Sequence, residues 1–440
     1  MLSTVDNETI TRVGPGTPMG EVFRRFWLPV LSSRDVVADG APVRLRVLGE
    51  NLVAFRDTSG KVGVLEAACP HRRAKLFWGR NEECGLRCAY HGWKFDVTGQ
   101  CVDMPSEPPE STFKERVRAR GYPASDRGGF IWVYMGPREL EPEFPHYEWL
   151  DLPESQRGAG TFLQRSNWLQ SLEGDIDTAH VSFLHRWLDP ETAPATAQMV
   201  DGYRHWVVAD TAPQLTVKET EYGFVYGGRR TVGDGQYYWR LSHWVAPAAS
   251  AVPGAVYRPV RFLVPVDDEH SISCSAFWHE ANELSGPGRG PGGGGPGGGG
   301  AAGLTPFTLP DGYIIDVRVS SQGKENDYLI DRETQKSTTF SGIPGGPGGQ
   351  DRAMTETMEP VLDRSGEHLG TTDVAIIALR RALLKLARDL EAGVEPAMAR
   401  DPEAVRGFRG VDVITSEPDF DAVLRQCNEE LVGESQRQLA

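Results

Sequence analysis

The sequence predicts an α+β chain of two domains, an all-β part followed by a larger mixed part. Three observations lead there. Between residues 43 and 134, runs such as VRLRVLG, NLVAFRD and KVGVLEAAC alternate apolar and polar residues and are cut by Gly, Asp and Ser, as short half-buried strands are. Further on, QLTVKET, YGFVYGGRR, QYYWRLSHWV, YRPVRFLVPV and SISCSAFWHE read as consecutive strands of a second sheet. Near the end, TTDVAIIALRRALLKLARDLEAG places Ile376, Leu379, Leu383, Leu386 and Leu390 at steps of three and four, one apolar stripe on a helix.

Taken in order, residues 1–24 form an N-terminal segment expected to pack on the second domain, and residues 25–138 form the first domain. GGFIWVYMG is its last strand, and Pro137, Pro142 and Pro145 then mark a linker. The second domain is assigned to 139–440. Within it, QRSNWLQSLEGDIDTAHVSFLHRW is helical in period but ends irregularly. Residues 285–303, SGPGRGPGGGGPGGGGAAG, cannot pack a core and read as a flexible surface insertion. Thr371 or Thr372 can cap the C-terminal helix, and Gly393 can stop it.

Bulk properties exclude several functions. With 46 basic against 61 acidic side chains the formal charge is −15, which argues against nucleic-acid binding. An anionic substrate would then need a local Arg cluster to hold it. No apolar run approaches the roughly 18 residues of a membrane span, and no secretion signal is visible. The six cysteines make no disulfide framework, so a cytoplasmic location is expected.

The most specific motif is Cys69-Pro-His71, sixteen residues, then Cys88-Ala-Tyr-His91. Two thiolates and two imidazoles on two loops are the ligand set of a [2Fe–2S] cluster in which cysteines hold one iron and histidines the other. Two Cys and two His also suit structural zinc. Zinc fingers, however, usually pair Cys with Cys and His with His in sequence, whereas each loop here offers one of each.

A second constellation is Asp177-x-x-His180-x4-His185. Two imidazoles and a carboxylate make the facial triad of mononuclear non-haem Fe(II), with open positions left for O2 and substrate. Positions five apart on an ideal helix diverge by roughly 140°, so a π-type bulge or a helix end near Phe183 is needed to bring the rings together. The third ligand should be a carboxylate, because two neutral imidazoles leave the metal charge uncompensated. Asp373 is the candidate, since it opens the amphipathic helix; N-terminal capping is its alternative role. Asp177, one helical turn before His180, can accept a hydrogen bond from the imidazole nitrogen that faces away from the metal. Glu173 and Asp175 read as solvating the helix.

Both motifs in this order resemble the oxygenase α subunit of Rieske non-haem iron ring-hydroxylating oxygenases, and the likeness covers nearly the whole chain. TRVGPGTPMGEVFRRFWLPV, NEECGLRCAYHGWKFD, NWLQSLEGDIDTAHVSFLH and QDRAMTETMEPVLDRSGEHLGTTDVAIIALRR look like the phthalate 4,5-dioxygenase branch. The resemblance implies a Rieske β-domain joined to a catalytic domain with an antiparallel sheet flanked by helices. It implies a [2Fe–2S] cluster on Cys69, His71, Cys88 and His91, and a mononuclear Fe(II) on His180, His185 and, from the match at GEHLGTTD, Asp373. It further implies Asn167 as a polar residue near the iron, and Asp177 as a bridge from His180 to a cluster histidine of the adjacent subunit in a homotrimer. The Gly-rich insertion is longer than the family pattern requires.

A separate flavin/iron–sulfur NAD(P)H reductase is implied, because no strand-to-helix dinucleotide turn is visible. The implied activity is O2-dependent hydroxylation of an aromatic carboxylate, as a phthalate-type ring cis-dihydroxylation. Alternatives are a Rieske monooxygenase or O-demethylase on a methoxy- or phenoxy-benzoate, and a Rieske electron carrier without chemistry of its own. Carboxylate recognition calls for Arg, and Arg229, Arg230 and Arg240 are the candidates. Strand alternation puts Arg229 and Arg230 on opposite faces, so at most one of the two points inward.

Overall fold

The computed structural model describes residues 2–192, 203–254, 257–280, 282–284 and 303–428. The expected insertion at 285–303 therefore lies outside the described residues, apart from Gly303. Two short helices open the chain, α1 (Thr4–Thr11) and α2 (Pro18–Phe23). The Ser3 and Thr17 hydroxyls accept hydrogen bonds from first-turn N–H groups, and Pro18 sits where no N–H is needed. Both helices lie against the long C-terminal helix, with Asp6 salt-bridged to Arg388 and Arg25 to Glu395.

Eleven short strands follow. They are β1 (Trp27–Ser32), β2 (Val43–Val47), β3 (Glu50–Arg56), β4 (Val62–Glu66), β5 (Arg80–Glu82), β6 (Gly85–Arg87), β7 (Lys94–Phe95), β8 (Cys101–Asp103), β9 (Gly121–Tyr122), β10 (Ala124–Arg127) and β11 (Phe130–Tyr134). They build three antiparallel sheets, ordered β2-β3-β4-β9, β5-β6-β7-β8 and β1-β11-β10. The β5–β8 sheet and its loops enclose a small separate core that includes Leu76, Leu86, Cys69, Cys88, Trp93 and Phe95.

The second domain is built on an eight-stranded antiparallel sheet. Its strands are β12 (Arg157–Gln164), β13 (Gln214–Thr220), β14 (Gly223–Gly233), β15 (Gln236–Val245), β16 (Ala249–Ala251), β17 (Arg258–Pro265), β18 (Ser271–Trp278) and, beyond the hairpin β19 (Thr305–Thr308) and β20 (Ile314–Val317), β21 (Val411–Thr415). The order is β12-β18-β17-β16-β15-β14-β13, with β21 paired to β15. All five stretches expected as strands are here, as β13, β14, β15, β17 and β18. Helices α3 (Trp168–Ile176), α4 (Tyr203–Ala209), α5 (Arg332–Ser337), α6 (Pro347–Thr357) and α7 (Val374–Glu391) complete the domain. Gly393 adopts φ +85°, as a helix stop does, but α7 is preceded by a 3-10 turn over Thr371–Asp373 rather than capped by a threonine hydroxyl. Among the described residues no helix is long and apolar enough to cross a membrane.

Register fixes which side chains share a face. Gly228 pairs with Arg240, Tyr226 with Ser242, Trp244 with Ser250, and Ser250 with Arg261, so these residues line one side of the sheet. Helix α3 covers that side: Asp175 accepts a hydrogen bond from Ser250 at 2.7 Å and pairs with Arg261 at 3.0 Å. Glu173 is likewise turned inward and is held by Arg364 at 2.8 Å and Arg380 at 2.6 Å. The expectation that Glu173 and Asp175 solvate the helix is therefore wrong. α3 is covered on both sides, and its carboxylates are buried ion-pair partners. Burial opposes ionisation of Glu173, but the two guanidinium charges outweigh it and hold the carboxyl below its usual range.

The same sheet carries a proton-linked site on its other face. Buried His243 accepts a hydrogen bond from the Tyr222 hydroxyl at 2.7 Å, and burial pushes its pKa down to about 4. A histidine depressed in the fold stabilises fully above its unfolded pKa near 6.5 and loses that contribution as pH falls through 4, a difference of roughly 3 kcal/mol. His243→Gln keeps an acceptor for Tyr222. Thermal melts from pH 7 to 4 should show a smaller acid-induced drop in Tm for this variant than for the parent, and parallel curves would contradict the argument.

Candidate functional site

The first cluster loop leaves β4 and the second joins β6 to β7. Each is closed by backbone bonds at its cysteine. Arg73 N–H donates to the Cys69 carbonyl at 2.9 Å, and Gly92 N–H donates to the Cys88 carbonyl at 3.0 Å. Gly92 has φ +79°, and a Cβ there would lie 2.7 Å from Pro105, so only glycine fits this turn. Cys69 and Cys88 are buried side by side without a disulfide. Burial is the main reason the Cys69 thiol is pushed up to about 11. The His71 and His91 rings lie 4.4 Å apart, and His71 stacks on Trp93 at 4.2 Å. His71 Nδ1 is buried with no hydrogen-bond partner, a cost that a metal bond at that atom would remove. This donor set fits a [2Fe–2S] group held by two Cys and two His.

Downstream, α3 ends at Ile176, earlier than the sequence suggested, so neither histidine is on it. Asp177 closes the helix, and its carboxylate then organises the next turn. It accepts from Ala179 N–H at 2.7 Å and His180 N–H at 3.3 Å, and it lies 3.3 Å from His180 Nδ1. A 3-10 turn over His180–Ser182 follows, and Leu184 N–H reaches back to the His180 carbonyl at 2.8 Å. This irregular turn resolves the five-residue spacing: His180 Nε2 and His185 Nε2 face each other at 3.0 Å.

The carboxylate that meets them is Asp351, on α6. Its Oδ1 lies 3.0 Å from His185 Nε2 and 3.6 Å from His180 Nε2. His180, His185 and Asp351 are the one set of three or more such donors brought together among the described residues. Donors at right angles on an ion with bonds of about 2.1 Å sit about 3.0 Å apart, so the spacing suits one face of a six-coordinate metal. Burial opposes the charge on Asp351, but the two imidazoles hold it below the usual carboxylate range. Burial likewise lowers His180, and Asp177 and Asp351 more than offset it, leaving a raised value.

Asp373 is not part of this group. Its carboxylate accepts from Gly370 N–H at 2.6 Å across the 3-10 turn that leads into α7, and it makes no side-chain cap to α7 itself. Helix α7 is committed through its apolar stripe to α1, α2 and β13. Asn167 is also displaced from the expected role. It is fully buried at the opposite end of α3, where it caps Leu169 N–H and donates to the Thr11 and Asp268 carbonyls at 2.9 and 2.7 Å. Its polar atoms serve the fold and not a metal.

The three arginines divide by face. Arg229 lies on the outer side and donates to the Pro418 carbonyl at 2.9 Å and to Gln214. Arg230 points inward but donates to the Asp210 and Thr178 carbonyls at 3.0 and 2.6 Å. Arg240 is buried on the inner face, close enough to His180 for its charge to lower that histidine's pKa. The sequence reading missed Asp351, Gln350 beside it, and Arg261 on the same face as Arg240.

Comparison with known proteins agrees with this geometry. Residues 26–119 match the family of the Rieske [2Fe-2S] domain, and residues 133–286 and 316–421 match a LigXa C-terminal domain-like family. The 3-chlorobenzoate-3,4-dioxygenase oxygenase subunit of Comamonas testosteroni is 42% identical over 89% of this chain and 90% of its own length. The phthalate 4,5-dioxygenase oxygenase subunit of Pseudomonas putida is 37% identical over 92% and 90%. Among solved structures, NdmA of Pseudomonas putida CBB5 with caffeine superposes with a TM-score of 0.56 at 17% identity, over 92% of this chain and all of that one. Dicamba monooxygenase gives 0.54 at 18%, over 84% and 98%; these two comparisons show the fold. A zinc module and a stand-alone electron carrier are set aside, since the first domain matches a Rieske domain and the relatives that span most of the chain are oxygenase subunits. With both domains and relatives of this similarity over most of its length, the chain belongs to the Rieske non-haem iron oxygenases, as an oxygenase subunit that pairs a [2Fe–2S] cluster with a mononuclear iron.

Proposed function

We propose that this subunit hydroxylates an aromatic carboxylate, most specifically by cis-dihydroxylation of a phthalate- or benzoate-type ring. The observation that carries the reading is the His180–His185–Asp351 triad beside the sheet face that presents Arg240. Cys69, His71, Cys88 and His91 are assigned to the cluster, and the triad to Fe(II), which when bound supplies the O2-activating chemistry. Asp177 orients His180 and is the group through which a neighbouring cluster is expected to couple. Electrons come from a separate NAD(P)H reductase, and a cytoplasmic homotrimer is the working assembly. The domains are taken as 25–138 and 139–440, with residues 1–24 on the second. Support for a carboxylate comes from two relatives whose names specify chlorobenzoate and phthalate.

Arg240 is the carboxylate partner in this reading, because it is buried on the inner face within electrostatic reach of His180, whereas Arg229 faces away. A charge-assisted hydrogen bond is worth about 1.5–3 kcal/mol, so Arg240→Met should raise KM for a benzoate-type substrate about 10- to 100-fold. The matching benzamide should be affected far less. Equal changes for acid and amide would remove Arg240 from the role.

Mono-oxygenation is a second reading, favoured by the 36% identity to a 5,5'-dehydrodivanillate O-demethylase oxygenase subunit over 91% of this chain. Turnover of phthalate, chlorobenzoate and methoxybenzoate under 18O2 with a surrogate reductase separates the two. Two labelled atoms in a diol support the proposal. One labelled atom, or formaldehyde release, overturns it in favour of the second reading.

A further inference from the structure

We infer that Gln350 is the positioning residue that fixes His185 as a metal ligand. The inference rests on the reading of His180, His185 and Asp351 as the iron site. Gln350 is buried on α6, one residue before Asp351, and its Oε1 lies 2.7 Å from His185 Nδ1. Its own amide nitrogen donates to the Ile343 carbonyl at 3.1 Å. That second bond settles which way the amide points, because a carbonyl can only accept. The oxygen must therefore face His185, and His185 Nδ1 must carry the proton.

The consequence falls on the other ring nitrogen. With Nδ1 protonated, Nε2 presents a lone pair toward His180 Nε2 and Asp351 Oδ1, each 3.0 Å away. His180 is set the same way by Asp177, at 3.3 Å from its Nδ1. When both imidazoles are neutral, two lone pairs and a carboxylate converge here, a donor set that suits a cation.

The two supports differ in charge. Asp177 is an anion, whereas Gln350 is neutral. With neutral imidazoles, Asp351 and Asp177 together balance a divalent ion. The glutamine thus locks the tautomer without adding a further negative charge. α6 makes the support rigid: Gln350 N–H donates to the Gly346 carbonyl at 3.2 Å, and Pro347 opens the helix.

Co(II) binding to protein freed of its mononuclear metal but retaining the cluster tests this without recourse to activity. Loss of a hydrogen-bonded support of a metal histidine costs about 10- to 100-fold in affinity. Gln350→Met, similar in shape but unable to accept, should lose that much by titration of the Co(II) absorption bands. Gln350→Glu, which restores an acceptor, should recover affinity to within about threefold of the parent. A merely structural role would not produce that rescue. The inference is overturned if the Met variant binds within about twofold of the parent, or if the Glu variant binds no better than the Met variant. Melting temperature and the cluster spectrum verify folding, and the Glu variant carries the comparison against the parent if the Met variant does not fold. His185→Ala reports on the underlying reading: parent-like Co(II) affinity in that variant would refute the site itself, whatever Gln350 does.

Discussion

Replacing Asp351 by Ala is expected to abolish hydroxylation and to lower iron from about three to about two atoms per chain, with the visible spectrum of the cluster unchanged. Asp351 is the one carboxylate grouped with both imidazoles among the described residues. Its removal leaves two neutral donors for a divalent ion in a partly buried site, which favours neither binding nor retention. Asp373→Ala is the matched control. It removes a hydrogen bond from Gly370 N–H in the 3-10 turn before α7, a loss of about 1 kcal/mol, and should leave iron content and turnover as in the parent. Metal analysis of the two purified variants decides the point, because an Asp351→Ala protein with full iron would return the ligand role to another residue.

Asp177→Asn, assayed with excess Fe(II) so that the mononuclear site is filled, is expected to cut steady-state turnover about 100-fold with the cluster intact. The amide oxygen can still accept from Ala179 N–H, so the turn after α3 should persist. What is lost is the negative charge beside His180 Nδ1, and with it the preference for the tautomer whose Nε2 binds metal. The carboxylate is also about a quarter exposed, so it can face a neighbouring chain. Stopped-flow oxidation of a pre-reduced cluster, with O2 and substrate present, isolates the affected step. Parent-like rates in the variant would relieve Asp177 of any part in delivering electrons.

The parts of this molecule written into local spacing were legible. Alternation marked the strands of the first domain, apolar-rich runs marked β13, β14, β15, β17 and β18, and the paired Cys and His of the cluster loops carry their identity in their order. His180 and His185 were readable too, though through a turn and not a distorted helix, because Asp177 ends α3 before either ring. Asp351 was not. A single carboxylate in PGGQDRAMTET has no periodic partner, and only folding carries α6 across to the histidine loop. Asp373 drew attention because it opens the amphipathic helix and lies in the GEHLGTTD match, but here it accepts from Gly370 N–H in the turn before α7. Asn167 entered only through the family resemblance, and its three hydrogen bonds account for its buried amide. β16, three residues long, and β21, half-buried along its whole length, give no alternation to read.

The seam between the two domains has a consequence for how the iron site is held. Arg44 and Arg46 on β2 reach across to Asp316 and Asp311, each at 2.6 Å, and Arg318 forms a fully enclosed pair with Asp35. One continuous apolar cluster also runs through both domains. Opening this seam would expose paired charges and core together, so among the described residues these contacts hold the two domains to each other. Both iron-site histidines lie on the short loop from Asp177 to Leu188. That loop is itself pinned where Leu188 N–H meets the Thr338 carbonyl and Phe340 N–H meets the Arg186 carbonyl, both at 2.9 Å. The same folding that locks the two domains together thus also fastens the histidine loop to its neighbours, and the site is built as one rigid assembly with the seam.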